Sequence, residues 1–534
     1  MAVADLAVVA TTVRTMNPAS PFATAIACHN GVVIALGDED VRAACDATTQ
    51  VIDGSGAVVT PGLVDGHQHL FQGAEIRRGI DLEGARDPAE FRARIRAGRA
   101  AVGPEAWLLG YGVEYETFQG RAFDHRELEG ADGPGPMLLW SFDLHSAFAN
   151  EAALRIAGID GPRALGDAAL VVCDEAGRPT GELREWSAMN LVTDVLPPPP
   201  AERLRSWHVE TLRAQNAVGI TGQHLMDGGP GTAALLAGLA ADDALTQRVW
   251  LHQYVYATTG DDEVAAIVAA ARGAGRLWRA DGVKFMLDGV IDTGTAWMEG
   301  PDAFGANTDP LWPDPMDYSR RVGQFHAAGL RVATHAIGDR AVRHVLDTYA
   351  ALPGGSAGRH RIEHIETAPD AIVDRFAPEA VTASMQPIAM QWVQPDRSDP
   401  WSARLTPEQC AHGWRVGDLS AGGALVVLGS DWPVAHFDPR PGLYAARMRR
   451  APDAADPRPV GATRPLTGQE ALAGYTINAA RAVGANGGLL APGRPADFVL
   501  WADDPVECAP AALVGLPVLL TVVDGRIVHR DPTR

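Results

Sequence analysis

Two histidines early in the chain have the spacing of metal ligands. His67 and His69 flank Gln68 at the end of the apolar segment VVTPGLVDG. If this segment is a strand, residues i and i+2 point to the same face, so both imidazoles can reach one metal ion. The pair alone is weak evidence, because two polar residues on a loop would give the same pattern.

Four further residues with suitable chemistry lie within or directly after other apolar segments. They are Lys284 in GVKFML, His335 at the end of RVATH, His364 at the end of RIEH and Asp431 after ALVVLGS. Histidine and carboxylate side chains bind divalent metals, and a bound metal lowers the pKa of water toward about 7. The set therefore predicts a water-activating metal site, if the fold brings these segments together.

The segments that carry these residues are typical of buried parallel strands. The chain has eight segments of this type, five of which carry the candidate residues, and helix-like stretches separate several of them. They are VVTPGLVDGHQH, GITGQHL, RVWLHQYV, GVKFML, GLRVATH, RIEHI, AVTASM and ALVVLGSD. The pattern predicts an α/β fold built on a (β/α)8 barrel, similar to a TIM barrel. Active sites of such barrels lie at the carboxyl ends of the strands, where the candidate residues are found.

The two ends of the chain and one long connection lie outside this pattern. Asn30-Gly31 and Asp524-Gly525 each separate two β-branched segments, which predicts hairpins. Neither end is long enough to form a stable sheet alone, so we expect the termini to combine into one small β-sandwich. The connection after the first barrel strand is far longer than usual and predicts an inserted subdomain. The predicted boundaries are 1–57 and 484–534 for the β domain, 58–483 for the barrel and 72–200 for the insert.

Composition excludes several classes of protein. Lys and Arg number 45 against 66 Asp and Glu, and the resulting net charge of −21 disfavours nucleic acids and anionic membranes as partners. The five cysteines include no CxxC pair, which argues against a disulfide framework and a thiolate zinc site. No segment approaches the roughly 18 uninterrupted apolar residues of a membrane span, and the amino terminus lacks the basic region of a secretory signal. We therefore expect a cytoplasmic protein that acts on a small molecule.

The motifs resemble those of the metal-dependent amidohydrolase superfamily, and more narrowly its YtcJ-like branch, amidohydrolase family 3. The resemblance extends from about residue 50 to about residue 500. The matching segments are VVTPGLVDGHQHL, GVKFMLDGVIDTGTA, VATHAIGDRA, RIEHIE, SMQP, LGSDWPV and APGRPADFVL. SFDLHSAFANEAAL is similar to the insert of the family.

This resemblance implies a role for each candidate residue. The implied ligands are His67, His69 and Asp431 for the more buried of two metal ions, and His335 and His364 for the second. Lys284 would bridge the ions as an N6-carboxylated lysine, whereas an unmodified lysine beside one metal is the alternative. Zinc is the simplest metal, and manganese or iron would suit the same ligands. Asp431 would take the proton of a metal-activated hydroxide and pass it to the departing nitrogen.

The function implied is hydrolysis of an amide-type C–N bond, similar to that catalysed by N-substituted formamide deformylases. Aromatic residues in the insert and after the strands predict a largely apolar pocket, and hence a small apolar N-substituted or N-acyl substrate. We expect His145, Trp297 and Trp432 to contact it. Asp288 is either a partner of the metal site or a turn residue.

Other functions remain open at this stage. The same hydroxide could hydrolyse an ester, a lactone, a carbamate or a cyclic amide, and the same ligands could serve an isomerase or a deaminase. A catalytically silent relative would act as a scaffold or binding protein, which six filled ligand positions disfavour. The family resemblance implies a homodimer, although the sequence shows no interface signature.

Overall fold

Eight parallel strands form the centre of the molecule. The structure is a computed structural model that describes residues 2–271 and 273–532. The barrel strands are β1 (Leu63–Gln68), β2 (Ile220–Gly228), β3 (Arg248–Val255), β4 (Trp278–Met286), β5 (Arg331–Ala336), β6 (Arg361–His364), β7 (Thr382–Met385) and β8 (Val426–Leu428). Each is hydrogen-bonded to the next in this order. All eight strands overlap the segments predicted for them, and the predicted barrel is confirmed.

Helices cover the outside of the barrel, which is why its strands are apolar along most of their length. The helix Asp339–Ala350 shows the principle, since Val342, Val345, Leu346 and Tyr349 are buried on the face that packs toward the sheet. The helices between the barrel strands are Ala201–Asn216, Thr232–Ala241, Asp261–Ala270, Pro315–Ala327, Asp339–Ala350, Asp370–Val373, Pro400–Arg404, Pro407–Ala411 and Val416–Ala421. After β8 come Pro439–Met448, Gly468–Gly474 and Ile477–Ala482.

The two chain termini meet in a pair of sheets that pack face to face. A four-stranded sheet has the order Val32–Leu36, Ile26–His29, Leu6–Val9 and Gln50–Asp53. A six-stranded sheet has the order Arg526–Arg530, Val518–Val523, Phe498–Trp501, Val58–Pro61, Thr12–Arg14 and Phe22–Ala23. Both predicted hairpin turns are present, and their residues have the positive φ angles of such turns. One apolar core joins side chains of both sheets.

The long connection after β1 contains a separate six-stranded sheet. Its order is Leu170–Cys173, Pro179–Arg184, Ser146–Ala149, Met137–Ser141, Leu108–Val113 and Ile80–Asp81. The helices Leu70–Ile76, Pro88–Val102, Glu151–Ile156 and Trp186–Thr193 accompany it. Two apolar clusters form the core around this sheet. The residue boundaries of the three domains stay a prediction.

Smaller elements complete the chain. They are the helices Asp38–Ala44 and Pro510–Leu513, the short strand Ala274–Gly275, and the 3-10 turns Tyr115–Phe118, His125–Leu128 and Pro387–Trp392. Across residues 2–271 and 273–532, no helix combines the length and the hydropathy needed to cross a membrane.

Candidate metal centre and its cavity

Three of the predicted ligands form a tight group at the carboxyl ends of β1 and β8. One ligand atom from each of His67, His69 and Asp431 lies within 4.8 Å of the others. Asp431 Oδ1 is 3.3 Å from His67 Nε2 and 3.2 Å from His69 Nε2. Lys284 Nζ, from β4, is 3.2 Å from the same His67 Nε2. Four side chains from three strand ends therefore surround one small volume.

The other two predicted ligands lie beside this group. His364 Nδ1 is 3.8 Å from Asp431 Oδ2, and the His364 ring is 4.9 Å from that of His67. The ring of His335 is 4.4 Å from that of His364. The fold thus brings all six predicted residues to one place, with Asp431 between the β1 histidines and the pair from β5 and β6.

Hydrogen bonds between the carboxyl ends of β1 and β8 fix the position of Asp431. Its backbone N–H donates to His67 O at 2.8 Å, and the Asp65 carboxylate accepts hydrogen bonds from the backbone N–H groups of His67 and Ser430 at 3.1 and 3.0 Å. The Ser430 hydroxyl donates to the other Asp65 oxygen at 2.5 Å. Asp431 has a φ of 59°, a conformation that costs a non-glycine residue about 1 kcal/mol or more. The surrounding bonds keep it there.

A buried ion pair formed by two β6 side chains orients His67. Glu363 Oε2 accepts a hydrogen bond from His67 Nδ1 at 2.6 Å, and Glu363 Oε1 accepts one from Arg361 Nε at 2.5 Å. Both β6 side chains are almost completely buried. Because Nδ1 is engaged, His67 is left with Nε2 for a metal, as in many metal-binding histidines. Sequence analysis missed this pair, although the i, i+2 spacing of Arg361 and Glu363 in RIEH places both on the inner face.

A local change of backbone conformation lets two successive β6 residues serve the site. Successive strand residues normally point to opposite faces. His364 has a φ of 73° and Ile365 a φ of 52°, which ends the alternation. Consequently Glu363 contacts His67 while the next residue, His364, lies against Asp431.

Burial sets the charge state of the candidate ligands. It lowers the pKa of His67, His335 and His364 well below the ordinary value for histidine, and the nearby Lys284 acts in the same direction on each. These imidazoles are therefore neutral, which is the form that binds metal. Burial also lowers the pKa of Lys284 to about 8, so its neutral amine is accessible near neutral pH.

Asp288 fastens the segment after β4 to the segment after β5. Its buried carboxylate accepts hydrogen bonds from the backbone N–H groups of Trp297 and Gly338, both at 2.9 Å, and of Ile337 at 3.0 Å. Its Oδ1 is also 3.7 Å from His335 Nε2. Asp288 is therefore a partner of the candidate site, because it positions the end of β5, and not a turn residue alone.

A cavity opens beside the candidate metal ligands. His335, His364 and Asp431 form part of its wall, and so does His145 from the insert. The apolar part consists of Phe142, Val290, Ile337, Ala389, Trp392, Val393, Trp401, Trp414, Val434 and Ala435. The remaining polar part consists of Asp143, Asp292, Glu366, Gln386 and Ser430. The predicted aromatic, largely apolar pocket is present, with several acidic groups that sequence analysis did not anticipate.

His145 is the one predicted substrate contact that lies in this wall. Its ring is 5.3 Å from that of His335, and its Nδ1 is 2.9 Å from Glu185 Oε2. Burial acts to lower the pKa of His145, but the Glu185 carboxylate outweighs it and raises the pKa to about 9. The imidazole is therefore protonated and has Nε2 available as a donor.

Trp297 and Trp432 are not among the described residues that line the cavity. The Trp297 ring packs 5.4 Å from that of His344, while its backbone is held by Asp288. Trp432 packs over Gly73, where a β-carbon would lie 2.3 Å from its ring, and 5.7 Å from the ring of Phe437. Both side chains turn back into the protein, because the bonds around Asp288 and Asp431 fix the direction in which each segment leaves its strand.

Comparison with known proteins gives matches that extend over most of the chain. A family model described as "Amidohydrolase family" matches residues 50–529. The "N-substituted formamide deformylase" of Arthrobacter pascens is 26% identical over 98% of this chain and 97% of its own length. "Protein LONG AFTER FAR-RED 3" of Arabidopsis thaliana is 28% identical over 93% of this chain and 87% of its own length.

The fold also matches a solved structure. A crystal structure described as an uncharacterized metal-dependent hydrolase from Pyrococcus horikoshii superposes with a TM-score of 0.73. The alignment covers 95% of this chain and 99% of that one, at 23% identity. At this level of identity the likeness establishes the shared architecture.

Proposed function

Because the chain belongs to the amidohydrolase family, we propose that it is a metal-dependent hydrolase that cleaves the C–N bond of a small amide with a largely apolar N-substituent or acyl group. The convergence of His67, His69 and Asp431 within 4.8 Å, beside a cavity with mostly apolar walls, carries this proposal. The Arthrobacter pascens relative, by its name a deformylase of N-substituted formamides, supports the substrate class.

The side chains present fit a pair of divalent metal ions. The imidazoles of His67, His335 and His364 are neutral and buried, His67 has one nitrogen engaged by Glu363, and a carboxylate lies between the histidines. The ligands would be His67, His69 and Asp431 for one ion and His335 and His364 for the other. Nitrogen and oxygen donors suit zinc, and manganese or iron would also bind them.

Lys284 is the candidate bridge between the two ions. An ammonium group would repel both, whereas the neutral amine reacts with CO₂ to give a carbamate with two oxygen donors. Burial, which lowers the pKa of Lys284 to about 8, favours the amine. We therefore assign an N6-carboxylated lysine to this position, with an unmodified lysine beside a single metal as the alternative.

Two side chains of the chain would act on the substrate directly. A bound divalent ion supplies an acidified water molecule and polarises the substrate carbonyl. Asp431 turns Oδ1 toward His67 and His69, and its side chain is 17% exposed in the cavity wall. Asp431 Oδ2 would accept the proton of the water and return it to the departing nitrogen. Protonated His145 would donate a hydrogen bond from Nε2 to an oxygen of the substrate.

The proposal extends to cellular context. The cysteines Cys28, Cys45, Cys173, Cys410 and Cys508 are all free, which suits a reducing compartment and supports a cytoplasmic location. The net charge of −21 supports a small-molecule substrate rather than a nucleic acid or membrane partner. A homodimer stays a prediction, which light scattering on the purified protein would test.

Metal content provides the first test. Protein purified without chelators should hold two metal ions per chain, measured by elemental analysis. After the mass of the bound metal is subtracted, the intact mass under non-acidic conditions should exceed the sequence mass by ~44 Da, the mass of the CO₂ that completes the bridged centre. One ion without added mass would leave Lys284 unmodified, and protein without metal would contradict the proposed centre.

Activity provides the second test. N-alkyl formamides, N-alkyl acetamides and the matching esters would be screened for release of both free amine, or alcohol, and carboxylate. His67→Ala, His364→Ala and Asp431→Asn should abolish turnover while circular dichroism shows an intact fold. His125→Ala, a histidine on a turn of the insert, serves as the matched control and should keep wild-type activity. Near-normal turnover of Asp431→Asn would remove Asp431 as the proton carrier.

A further inference from the structure

Three polar side chains of the cavity wall have no part in the metal centre. Asp292 follows β4, Glu366 follows β6 and Gln386 follows β7. Gln386 is only 3% exposed, yet neither Nε2 nor Oε1 has a hydrogen-bond partner within the described residues. A buried amide without partners costs about 1–3 kcal/mol, so such groups usually meet a ligand or water. Gln386 therefore indicates that the cavity receives a polar group.

Among the described residues, the two carboxylates that line the same cavity as Gln386 have no cation of their own. In the part of the chain that is described, the Asp292 carboxylate accepts no hydrogen bond from another side chain. Arg404 donates to the backbone oxygen of Asp292 at 2.8 Å, but its charge is paired with Asp302 at 2.6 Å. Glu366 Oε2 accepts a hydrogen bond from Trp401 Nε1 at 2.9 Å, and no side chain among the described residues donates to Oε1.

The remaining charges of the wall do not neutralise these carboxylates. No lysine or arginine occurs among the described residues of the wall, and the charge of His145 is balanced by Glu185. Asp143 adds a further negative charge, although Tyr115 and Ser141 donate hydrogen bonds to it. Burial raises the pKa of Asp292 to about 7, and Asp143 contributes to this shift. A positive charge that entered the cavity would lower the pKa of Asp292 and favour its ionised form.

Aromatic rings also line the cavity around these polar side chains. The ring of Phe142 lies 4.7 Å from that of Trp392, and the ring of Trp401 lies 4.5 Å from that of Trp414. Aromatic faces attract cations, and they also pack against alkyl chains. A neutral polar group could satisfy Gln386 but would not pair with Asp292 or Glu366 as ions, and the ionised carboxylates would repel an anion. Together, the carboxylates, Gln386 and the aromatic rings favour a ligand that carries a positively charged nitrogen at the end of an apolar chain.

We propose that Asp292, Glu366 and Gln386 form a subsite for a protonated amine, and that the preferred substrates are amides whose apolar N-substituent ends in an ammonium group. The subsite shares its cavity with His335, His364 and Asp431, so one substrate can place its amide at the metal centre and its ammonium against the carboxylates. The inference rests on the proposed amide hydrolysis for its substrate class, but the subsite can be tested by binding alone.

A pair of substrates of equal shape tests the preference. N-formylcadaverine carries an ammonium group where N-hexylformamide carries a methyl group. The wild-type kcat/KM should be at least about tenfold higher for N-formylcadaverine, a difference of about 1.4 kcal/mol. Asp292→Asn should bring the ratio to about one by lowering the value for the cationic formamide. Glu299→Gln, an exposed carboxylate after the same strand, is the matched control and should keep the wild-type ratio.

Binding measured by calorimetry separates the subsite from the reaction. Hexylamine should bind the metal-loaded protein at least about tenfold more tightly than hexanol, and Asp292→Asn should remove this difference. If Asp292→Asn fails to fold, Glu366→Gln carries the same expectation. Binding of hexylamine without hydrolysis of either formamide would uphold the subsite and overturn the proposed hydrolysis. Hydrolysis of both formamides at equal rates, with no preference for hexylamine over hexanol, would overturn the subsite and leave the hydrolysis standing.

Discussion

Replacing Glu363 with glutamine is expected to weaken metal binding or to destabilise the barrel, because one carboxylate supports a candidate ligand and a buried arginine. Glu363 Oε2 accepts hydrogen bonds from His67 Nδ1 at 2.6 Å and from Arg361 Nη2 at 2.9 Å, and Oε1 accepts one from Arg361 Nε at 2.5 Å. Glutamine keeps one oxygen and converts the other into an NH₂ donor. At least one of the three contacts then sets a donor against a donor.

The size of the effect depends on which way the new amide faces. If the NH₂ group faces His67, the imidazole proton must move to Nε2, which would otherwise bind the metal. Loss of such an outer partner costs about 10–100-fold in metal affinity. If the NH₂ group faces Arg361 Nε, a buried guanidinium loses part of its pairing, and disrupting a buried ion pair costs about 3–5 kcal/mol of unfolding free energy.

Two measurements on the same protein distinguish these cases. Competition with a chromophoric chelator gives the zinc dissociation constant, and urea denaturation of the metal-free protein gives the unfolding free energy. We expect a change of the stated size in at least one quantity for Glu363→Gln. Glu299→Gln, whose surface partner is Arg343, should change the unfolding free energy by less than about 0.5 kcal/mol. Wild-type values of both quantities in Glu363→Gln would refute the supporting role of Glu363.

Two further substitutions test the surroundings of the site. Asp65→Ala leaves the backbone N–H groups of His67 and Ser430 without an acceptor, so urea denaturation should show a loss of about 2–5 kcal/mol; Asp65→Asn keeps an acceptor oxygen and should lose much less. Trp392→Ala removes part of the cavity wall and should raise KM about tenfold at nearly unchanged stability. Trp297→Ala should instead lower stability by about 3–5 kcal/mol at unchanged KM, and the reverse pattern would restore Trp297 as a substrate contact.

The barrel could be predicted from the sequence because its physical signal is local. Eight runs of apolar residues, separated by helical segments and turns, require eight strands buried on both faces. The carboxyl ends of parallel strands must lie at one end of such a barrel. The meeting of His67, Lys284, His335, His364 and Asp431 therefore follows from their places in the pattern.

The support of the site could not be predicted in the same way. Glu363 and Arg361 act across the barrel on His67, and a single sequence shows which face they occupy but not what they meet. The directions in which the side chains of Trp297 and Trp432 point could not be predicted from the sequence either. Each follows a strand end, but the chain turns there according to long-range hydrogen bonds, such as that from the Trp297 backbone to Asp288. Local pattern fixes the element, whereas tertiary contacts fix the direction of a loop side chain.

The closing of the barrel and the assembly of the site depend on one set of contacts. β1 and β8 meet through the bond from Asp431 N to His67 O and the bond from His69 N to Trp432 O, both 2.8 Å. The strands can approach so closely because glycines lie at the join. A β-carbon on Gly66 would lie 2.6 Å from Leu428 O, and one on Gly429 would lie 2.5 Å from His67 N. Since a one-residue slip reverses the face of every strand side chain, this join fixes the register in which Asp431 faces both histidines.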